Sequence, residues 1–521
     1  MIGALRAPTG EGSALRWLLA LMLVTFVARV ILAATIGLGI DEAYTVATAR
    51  TWALSTYDHP PMAWWLAEAA VTLFGTEAPL AVRLPFILLF VATTWFAYDA
   101  GRYLYGPRAG LFAGVAINLA PVLGWTSGSM VLPDGPLMAA LLAGLCCVAR
   151  ALFGDARTAA RWWLLAGVAT GFALLAKLHG VFLLAGTGLF ILTSPAHRHW
   201  LRSPWPYLAA CIALLVFSPV LIWNAQHDWI SFAFQAGRAK ASRFDLAGPF
   251  IALGGQALFL LPWVWGALIL SLGRAAWAGP RMQRDWLVFC LAIGPIAVFT
   301  LITLTGTKTL FHWAAPGYLF GCIVLGRDVA VALAARDHAT RLWIRGSMAG
   351  IALLFCAVIA LASSPWTSIA LSNGKVAPYP LIETQTWRQL RAVVVDAAGS
   401  GKPGLFAAGV KWHETARIDA ALAEVLPVRC LCADPRGFGI TTNNRALLGQ
   451  NAIIVGADLG EAEVRASLGP YFESIAALAP VTITHAGKPV QLLRLYRGNR
   501  LRDPGLSPSL LAPFAPRTYA R

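Results

Sequence analysis

The residues of this 521-residue chain that are equipped for chemistry fall into short groups. Asp41-Glu42-Ala43-Tyr44 stands directly after the first apolar run, and Tyr57-Asp58-His59-Pro60-Pro61-Met62 follows it. Asp134 comes after Leu132-Pro133. Arg238, Lys240 and Arg243 share a polar stretch with His227 and Asp228, and Lys308 and His312 share another. A carboxylate such as Asp41 can take the proton of a hydroxyl, which is a weak nucleophile by itself. Clustered cations can hold an anionic group and stabilise the charge on a departing one. Asp41, Glu42 and Asp134 would also suit a divalent cation, but no compact ligand spacing accompanies them, and a metal is left open. Each group has a plainer alternative. Acids at a helix start suit the helix dipole, Asp134 can cap a helix beginning at Pro136, and Arg238, Lys240 and Arg243 can meet anionic headgroups.

The elements that must position these residues are membrane spans. Hydrophobic residues make up 58% of the chain and charged residues 13%, about half the charged share of an ordinary soluble domain. Mean hydropathy is +0.64. Apolar runs long enough to cross a bilayer, about 20 residues each, lie near 15–37, 80–100, 109–127, 134–152, 161–177, 179–194, 205–223, 248–272, 285–304, 311–332 and 343–364. The first exceeds a signal-peptide core in length and is expected to be retained. Only Leu178 parts the fifth run from the sixth, which leaves two helices or one broken helix. The net charge of +16 does not point to nucleic acid, because the basic residues recur in short clusters between apolar runs instead of forming one stripe.

Lys and Arg in the short loops set orientation. With a cytoplasmic N-terminus the inner loops hold Arg6, Arg16, Arg102, Arg108, Arg150, Arg157, Arg161, Arg198, Arg202, Arg274, Arg281, Arg284, Arg327, Arg336, Arg341 and Arg345. The outer loops hold Arg50, Arg83, Lys177, Arg238, Lys240, Arg243 and Lys308. This excess of 16 to 7 favours that orientation. An odd number of spans then puts the C-terminal segment outside, on the same side as the chemical groups. Lys177 falls at an outer boundary between two spans, where a lysine serves a site or snorkels. Trp223, Trp229 and Trp313 read as interface anchors.

Beyond residue 364 span-length apolar runs end and charge returns. Strands are expected at Gly404–Val410, Asn451–Val455 and Pro489–Tyr496, and helices at Trp412–Leu426 and Glu461–Leu468. Residues 1–364 thus read as a membrane domain with an outer loop over 39–79, and residues 365–521 as a soluble α/β domain whose last 20 residues form a loose tail. Six cysteines lie in apolar runs and read as packing residues. Cys430 and Cys432 leave open both free thiols and a disulfide formed in an oxidising compartment across a short, strained loop.

The first outer loop carries a family resemblance. Asp41-Glu42-Ala43-Tyr44, then His59-Pro60-Pro61, Phe74-Gly75 and Val82-Arg83-Leu84-Pro85, resemble in order the first periplasmic loop of glycosyltransferase family 39-like proteins. That superfamily includes the dolichyl-phosphate-mannose protein mannosyltransferases and the bacterial aminoarabinose transferases of lipid A, and its members share the GT-C membrane fold. Leu132-Pro133-Asp134 is similar to the family's second acidic position. Pro219–Asn224 with His227-Asp228-Trp229, and Lys308 with His312-Trp313 and Pro316, resemble segments of the bacterial members.

The resemblance implies a polytopic, GT-C-like all-α membrane protein of about 11 spans with a C-terminal α/β domain, in a bacterial inner membrane. It implies inverting transfer of a sugar from a polyprenyl-phosphate donor to a periplasmic acceptor, which would be lipid A, another glycolipid, a polysaccharide or a protein. Asp41 matches the family's catalytic aspartate, with Glu42 and Asp134 as further acidic candidates. Tyr44, His59, Lys177, Arg238, Lys240, Arg243, Lys308 and His312 are candidates for substrate binding. The chain departs from the pattern at Thr45, where many relatives have a second Tyr, and at His59, near which the aminoarabinose transferases carry a Lys; aminoarabinose specificity is therefore in doubt. Two other classes remain beside the enzyme: a transporter or flippase of lipid-linked sugars, for which Arg29 is the one plausible mid-span charge, and a non-catalytic assembly subunit.

Overall fold

The structure, a computed structural model, describes residues 11–239, 243–362, 387–398, 404–457, 459–485, 487–506 and 509–511. Lys240, the junction after residue 362 and residues 512–521 of the expected tail lie outside the described residues.

Inside a bilayer a backbone must satisfy its own hydrogen bonds, and an uninterrupted apolar run does so as a helix. The helices follow the apolar runs: α1 (Glu11–Thr35), α2 (Ile40–Ala49), α3 (Met62–Phe74), α4 (Pro79–Tyr105), α5 (Pro107–Leu119), the three-residue α6 (Ser127–Ser129), α7 (Asp134–Phe153) and α8 (Ala156–Ala176). They continue as α9 (Val181–Thr193), α10 (Trp205–Gln226), α11 (Ile230–Arg238), α12 (Gly248–Leu260), α13 (Pro262–Ala278), α14 (Gln283–Leu301), α15 (Ala315–Ala334) and α16 (His338–Ala362). Among the described residues, 8 helices are long and apolar enough to cross a membrane, or up to 11 if each of three bent pairs is one span. One bent pair is α5 with the segment Val122–Ser129, turned by 84°. The fifth and sixth apolar runs are separate helices, and the break falls at Lys177, whose backbone is extended (φ −160°, ψ 146°).

The chain falls into two compact units. The first comprises the chain up to Ile31, His59–Leu66 and Arg83–Leu354. Its helices pack closely where small residues meet: a Cβ on Gly101 would stand 2.8 Å from the Cα of Gly110, and one on Gly167 would collide with the Ala209 carbonyl. Large apolar side chains cover its outside, Leu215 and Phe250 being 72% and 76% exposed, a surface that suits lipid and not water. Charges gather near helix ends, where Asp99 pairs with Arg150 at 2.7 Å and Arg327 pairs with Asp285. The chain is a multi-pass membrane protein.

The second unit comprises Leu32–Asp58, Ala67–Val82 and the chain from Phe355 onward. Its sheet is mixed, with strands β1 (Leu405–Gly409), β2 (Val428–Cys430), β3 (Asn451–Gly456), β4 (Phe472–Ala477), β5 (Val481–His485) and β6 (Lys488–Leu501). The order is β2-β1-β3-β6-β4, with β5 pairing the first part of β6. β1 is parallel to both β2 and β3, and β6 is antiparallel to β3, β4 and β5. One sheet face buries Phe406, Ile454 and Tyr496 with Phe472 and Leu468. A helix at Trp412–Leu422 follows β1, and another spans Glu461–Leu468. Cys430 and Cys432 form a disulfide.

Candidate functional site

In the membrane unit the break at Lys177 carries the lysine into a buried position, 5% exposed. Its Nζ donates to both carboxylate oxygens of Asp134, at 3.0 and 3.1 Å. Asp134 does not cap a helix at Pro136. It begins α7 itself, where the helix dipole favours a carboxylate. Each charge therefore has the counter-ion that burial demands.

Lys177 also lines a cavity of about 260 Å³ with His59, His179 and Arg238. Phe182, Phe299 and Trp313 form its apolar walls. The His179 ring stacks on Phe299 at 4.7 Å, and its Nε2 is buried with no hydrogen-bond partner among the described residues. The Arg238 guanidinium lies 4.8 Å from the centroid of the Trp313 ring, close enough for a cation–π attraction. Trp313, expected to be an interface anchor, is thus part of the cavity wall. Trp223 is buried as well, stacked on His227 at 4.0 Å, while Trp229 is 51% exposed.

The other sequence candidates of this unit do not line the cavity. His312 is half-buried, within electrostatic reach of Asp134, Lys177 and Arg238. Lys308 is exposed, although its neighbours Thr307 and Thr309 are in the lining. Arg243 is exposed, and Lys240 lies outside the described residues.

In the second unit α2 carries Asp41, Glu42 and Tyr44. Asp41 is exposed, and its charge acts on Arg436. Glu42 is buried, and its Oε2 accepts a 2.8 Å bond from the Gly39 amide, which ties down the helix start. The Tyr44 hydroxyl donates to Asp58 Oδ1 at 2.9 Å and accepts from the Gly437 amide at 2.7 Å. Arg436 faces Asp58 Oδ2 at 3.4 Å and lies over the Trp412 ring at 4.0 Å. Burial raises the Asp58 carboxyl to about 6, against the opposing pull of Arg436 and the Tyr44 hydrogen bond. Burial and the neighbouring Asp58 push the Tyr44 phenol well up. Sequence reasoning missed Arg436, Trp412 and Gly437. They lie far along the chain from Tyr44, in a segment that matched no motif.

A second cavity in this unit, of about 370 Å³, is lined by Arg50, Glu77, Arg388, Arg391, Asp419 and Glu424 among others. Arg50 joins Glu77 at 2.6 Å to Asp419 at 2.7 Å. Among the described residues, no group of three or more His, Cys, Asp or Glu side chains is placed to hold a metal ion.

Residues 58–223 match the family described as dolichyl-phosphate-mannose-protein mannosyltransferase. A lipid A galacturonosyltransferase, RgtD of Rhizobium johnstonii, is 23% identical over 309 residues, 55% of this chain. The match spans 59% of that relative's length. The fold resembles that of ArnT from Cupriavidus metallidurans in the apo state, with a TM-score of 0.66, 14% identity, and 93% of this chain and 98% of that one covered. It also resembles the same ArnT bound to undecaprenyl phosphate, with a TM-score of 0.62, 16% identity, and 92% and 97% covered. Residues 58–223 are thus similar in sequence to the protein mannosyltransferase family, and the chain has an ArnT-like GT-C fold.

Proposed function

We propose that the protein transfers a sugar from a polyprenyl-phosphate donor to a glycolipid acceptor at the periplasmic face of a bacterial inner membrane, with inversion at the anomeric carbon. The observation that carries this is the cavity of the membrane unit. It joins Lys177, Arg238 and two histidines to aromatic walls, a combination suited to a phosphate attached to an isoprenoid chain. The similar ArnT from Cupriavidus metallidurans, solved bound to undecaprenyl phosphate, supports the donor class. The galacturonosyltransferase relative acts on lipid A, which supports a glycolipid acceptor.

The step is a displacement. An acceptor hydroxyl oxygen forms a bond to the anomeric carbon as the bond from that carbon to the phosphate oxygen breaks. The hydroxyl proton passes to Asp41. The bonding pair leaves with the lipid phosphate, whose growing charge Lys177 and Arg238 stabilise. Asp134 holds the Lys177 ammonium in place, a positioning role. Glu42, by its bond to Gly39, holds the start of the helix that presents Asp41.

Transfer of a labelled sugar from its polyprenyl phosphate, by full-length protein in nanodiscs, tests the assignment. Asp41→Asn is expected to abolish transfer while leaving undecaprenyl phosphate binding intact. Full transfer by that variant would remove Asp41 as the base. Mass spectrometry of envelope glycolipids with and without the gene then identifies donor and acceptor together, through a hexose, pentose or uronic acid difference.

A further inference from the structure

Arg29 is a charged residue well inside α1 that neither the donor cavity nor the proposed displacement uses. It lies inside an apolar span, where ionisable side chains are rare and usually tied to function, and it is 9% exposed. A charge on a transport path would be expected to meet other ionisable groups. The hydrogen bonds of Arg29 go instead to neutral acceptors. Its Nη1 donates to the Thr25 carbonyl of its own helix at 2.9 Å, its Nη2 to Asn118 Oδ1 at 3.1 Å, and its Nε to the Gly124 carbonyl at 3.0 Å. Its guanidinium also lies 4.1 Å from the centre of the Phe90 ring.

Two of those acceptors belong to the bent span. Asn118, the last residue but one of α5, offers its side-chain amide oxygen, and Gly124, which offers its backbone carbonyl, sits in the π-helical turn Val122–Thr126 that follows the break. A break leaves carbonyls without helical partners, and in an apolar medium such groups need donors from elsewhere. The fixed fork of a guanidinium can serve acceptors on both sides of the break at once. The fit is close: a Cβ on Gly124 would stand 3.1 Å from Arg29 Nη2, and one on Gly128 would stand 3.1 Å from Nε and 2.7 Å from the Phe90 ring. Four residues, 130–133, then join the segment to α7. A Cβ on Gly135 would stand 2.8 Å from the Ser127 carbonyl, so the turn and the first residues of α7 have little room to move independently. The first residue of α7 is Asp134, which holds Lys177 at the cavity.

We propose that Arg29 is a positioning residue: it splints the broken span and so fixes where Asp134 holds the Lys177 ammonium at the donor cavity. The role of Arg29 at the cavity rests on the donor function proposed above; the splint itself does not.

Hydrogen exchange on the full chain in nanodiscs tests the splint. Arg29→Gln is expected to speed amide exchange across residues 122–135 by about tenfold while the other spans keep their protection. Arg29→Lys keeps the charge with a less directed set of donors and should show the same local effect to a smaller degree. Unchanged exchange in either variant overturns the proposal, and the lysine variant decides it if Arg29→Gln does not fold. Titration with undecaprenyl phosphate tests the connection to Lys177. Arg29→Gln should weaken binding by about tenfold, as loss of a supporting partner does at other sites, and should add nothing in a Lys177→Gln background. Independent, multiplying losses would make Arg29 a phosphate ligand in its own right and overturn the positioning role. Absence of binding by the wild-type protein would refute the donor assignment, and the exchange result would still judge the splint.

Discussion

Breaking the Asp134–Lys177 pair tests the centre of the membrane unit. The two side chains are 7% and 6% exposed with a closest approach of 3.0 Å. At an effective dielectric of about 20, unit charges about 3 Å apart attract by about 5–6 kcal/mol. Much of that offsets the desolvation of both groups, so the net worth of the pair is small. Removing one partner is different, because the other stays buried and charged. Asp134→Asn and Lys177→Gln are each expected to destabilise the protein by about 3–5 kcal/mol. The double variant holds no buried charge at this place and should cost less than the sum by about 3 kcal/mol or more. Equilibrium unfolding in mixed micelles, applied to all four proteins, gives the coupling. Single costs below about 1 kcal/mol, the range of an exposed pair, or costs that simply add, would refute the arrangement.

Further outcomes follow from the same contacts. Asp58 titrates near 6 in the folded chain against an ordinary 3.8. Its contribution to stability is therefore fully present below pH 3.8 and is lost as the pH rises through about 6, a change of about 3 kcal/mol. Asp58→Asn keeps an acceptor for Tyr44 and should gain on the wild type as the pH rises from 4 to 8; parallel stability curves would contradict the burial argument. A Cβ on Gly437 would stand 2.5 Å from the Tyr44 hydroxyl, so Gly437→Ala should cost about 1–3 kcal/mol, and Tyr44→Phe in the same chain should restore part of it on thermal unfolding. Trp313→Ala removes the ring beneath Arg238 and should weaken undecaprenyl phosphate binding by a few-fold to about thirtyfold, the range of a cation–π contact of about 0.5–2 kcal/mol; unchanged affinity in a titration would take Trp313 out of the cavity's function.

Much of the fold was legible because its rules are local. A run of about 20 apolar residues must close its own backbone hydrogen bonds in lipid, and each run read from the sequence corresponds to a helix or to a bent pair of helices. The strands at Leu405–Gly409, Asn451–Gly456 and Lys488–Leu501 were likewise visible as apolar segments between turn residues. Their neighbours β2 and β4 are short, and β4 buries only Phe472 and Ile475, too few apolar positions to stand out from a loop.

The order of residues alone determined a helical membrane protein with a mixed C-terminal segment, and it pointed to acids and cations suited to sugar transfer. Tertiary structure decided which of those residues share a place. His59, Lys177 and Arg238 are distant in the chain and line one cavity, whereas Lys308 and Arg243 remain outside its lining. Tyr44 and Asp58 meet Arg436 and Gly437 from the far end of the sequence. Hydropathy measures the affinity of a segment for lipid, a property that each segment carries by itself. The convergence of side chains depends on how distant segments pack, and no single segment carries that information.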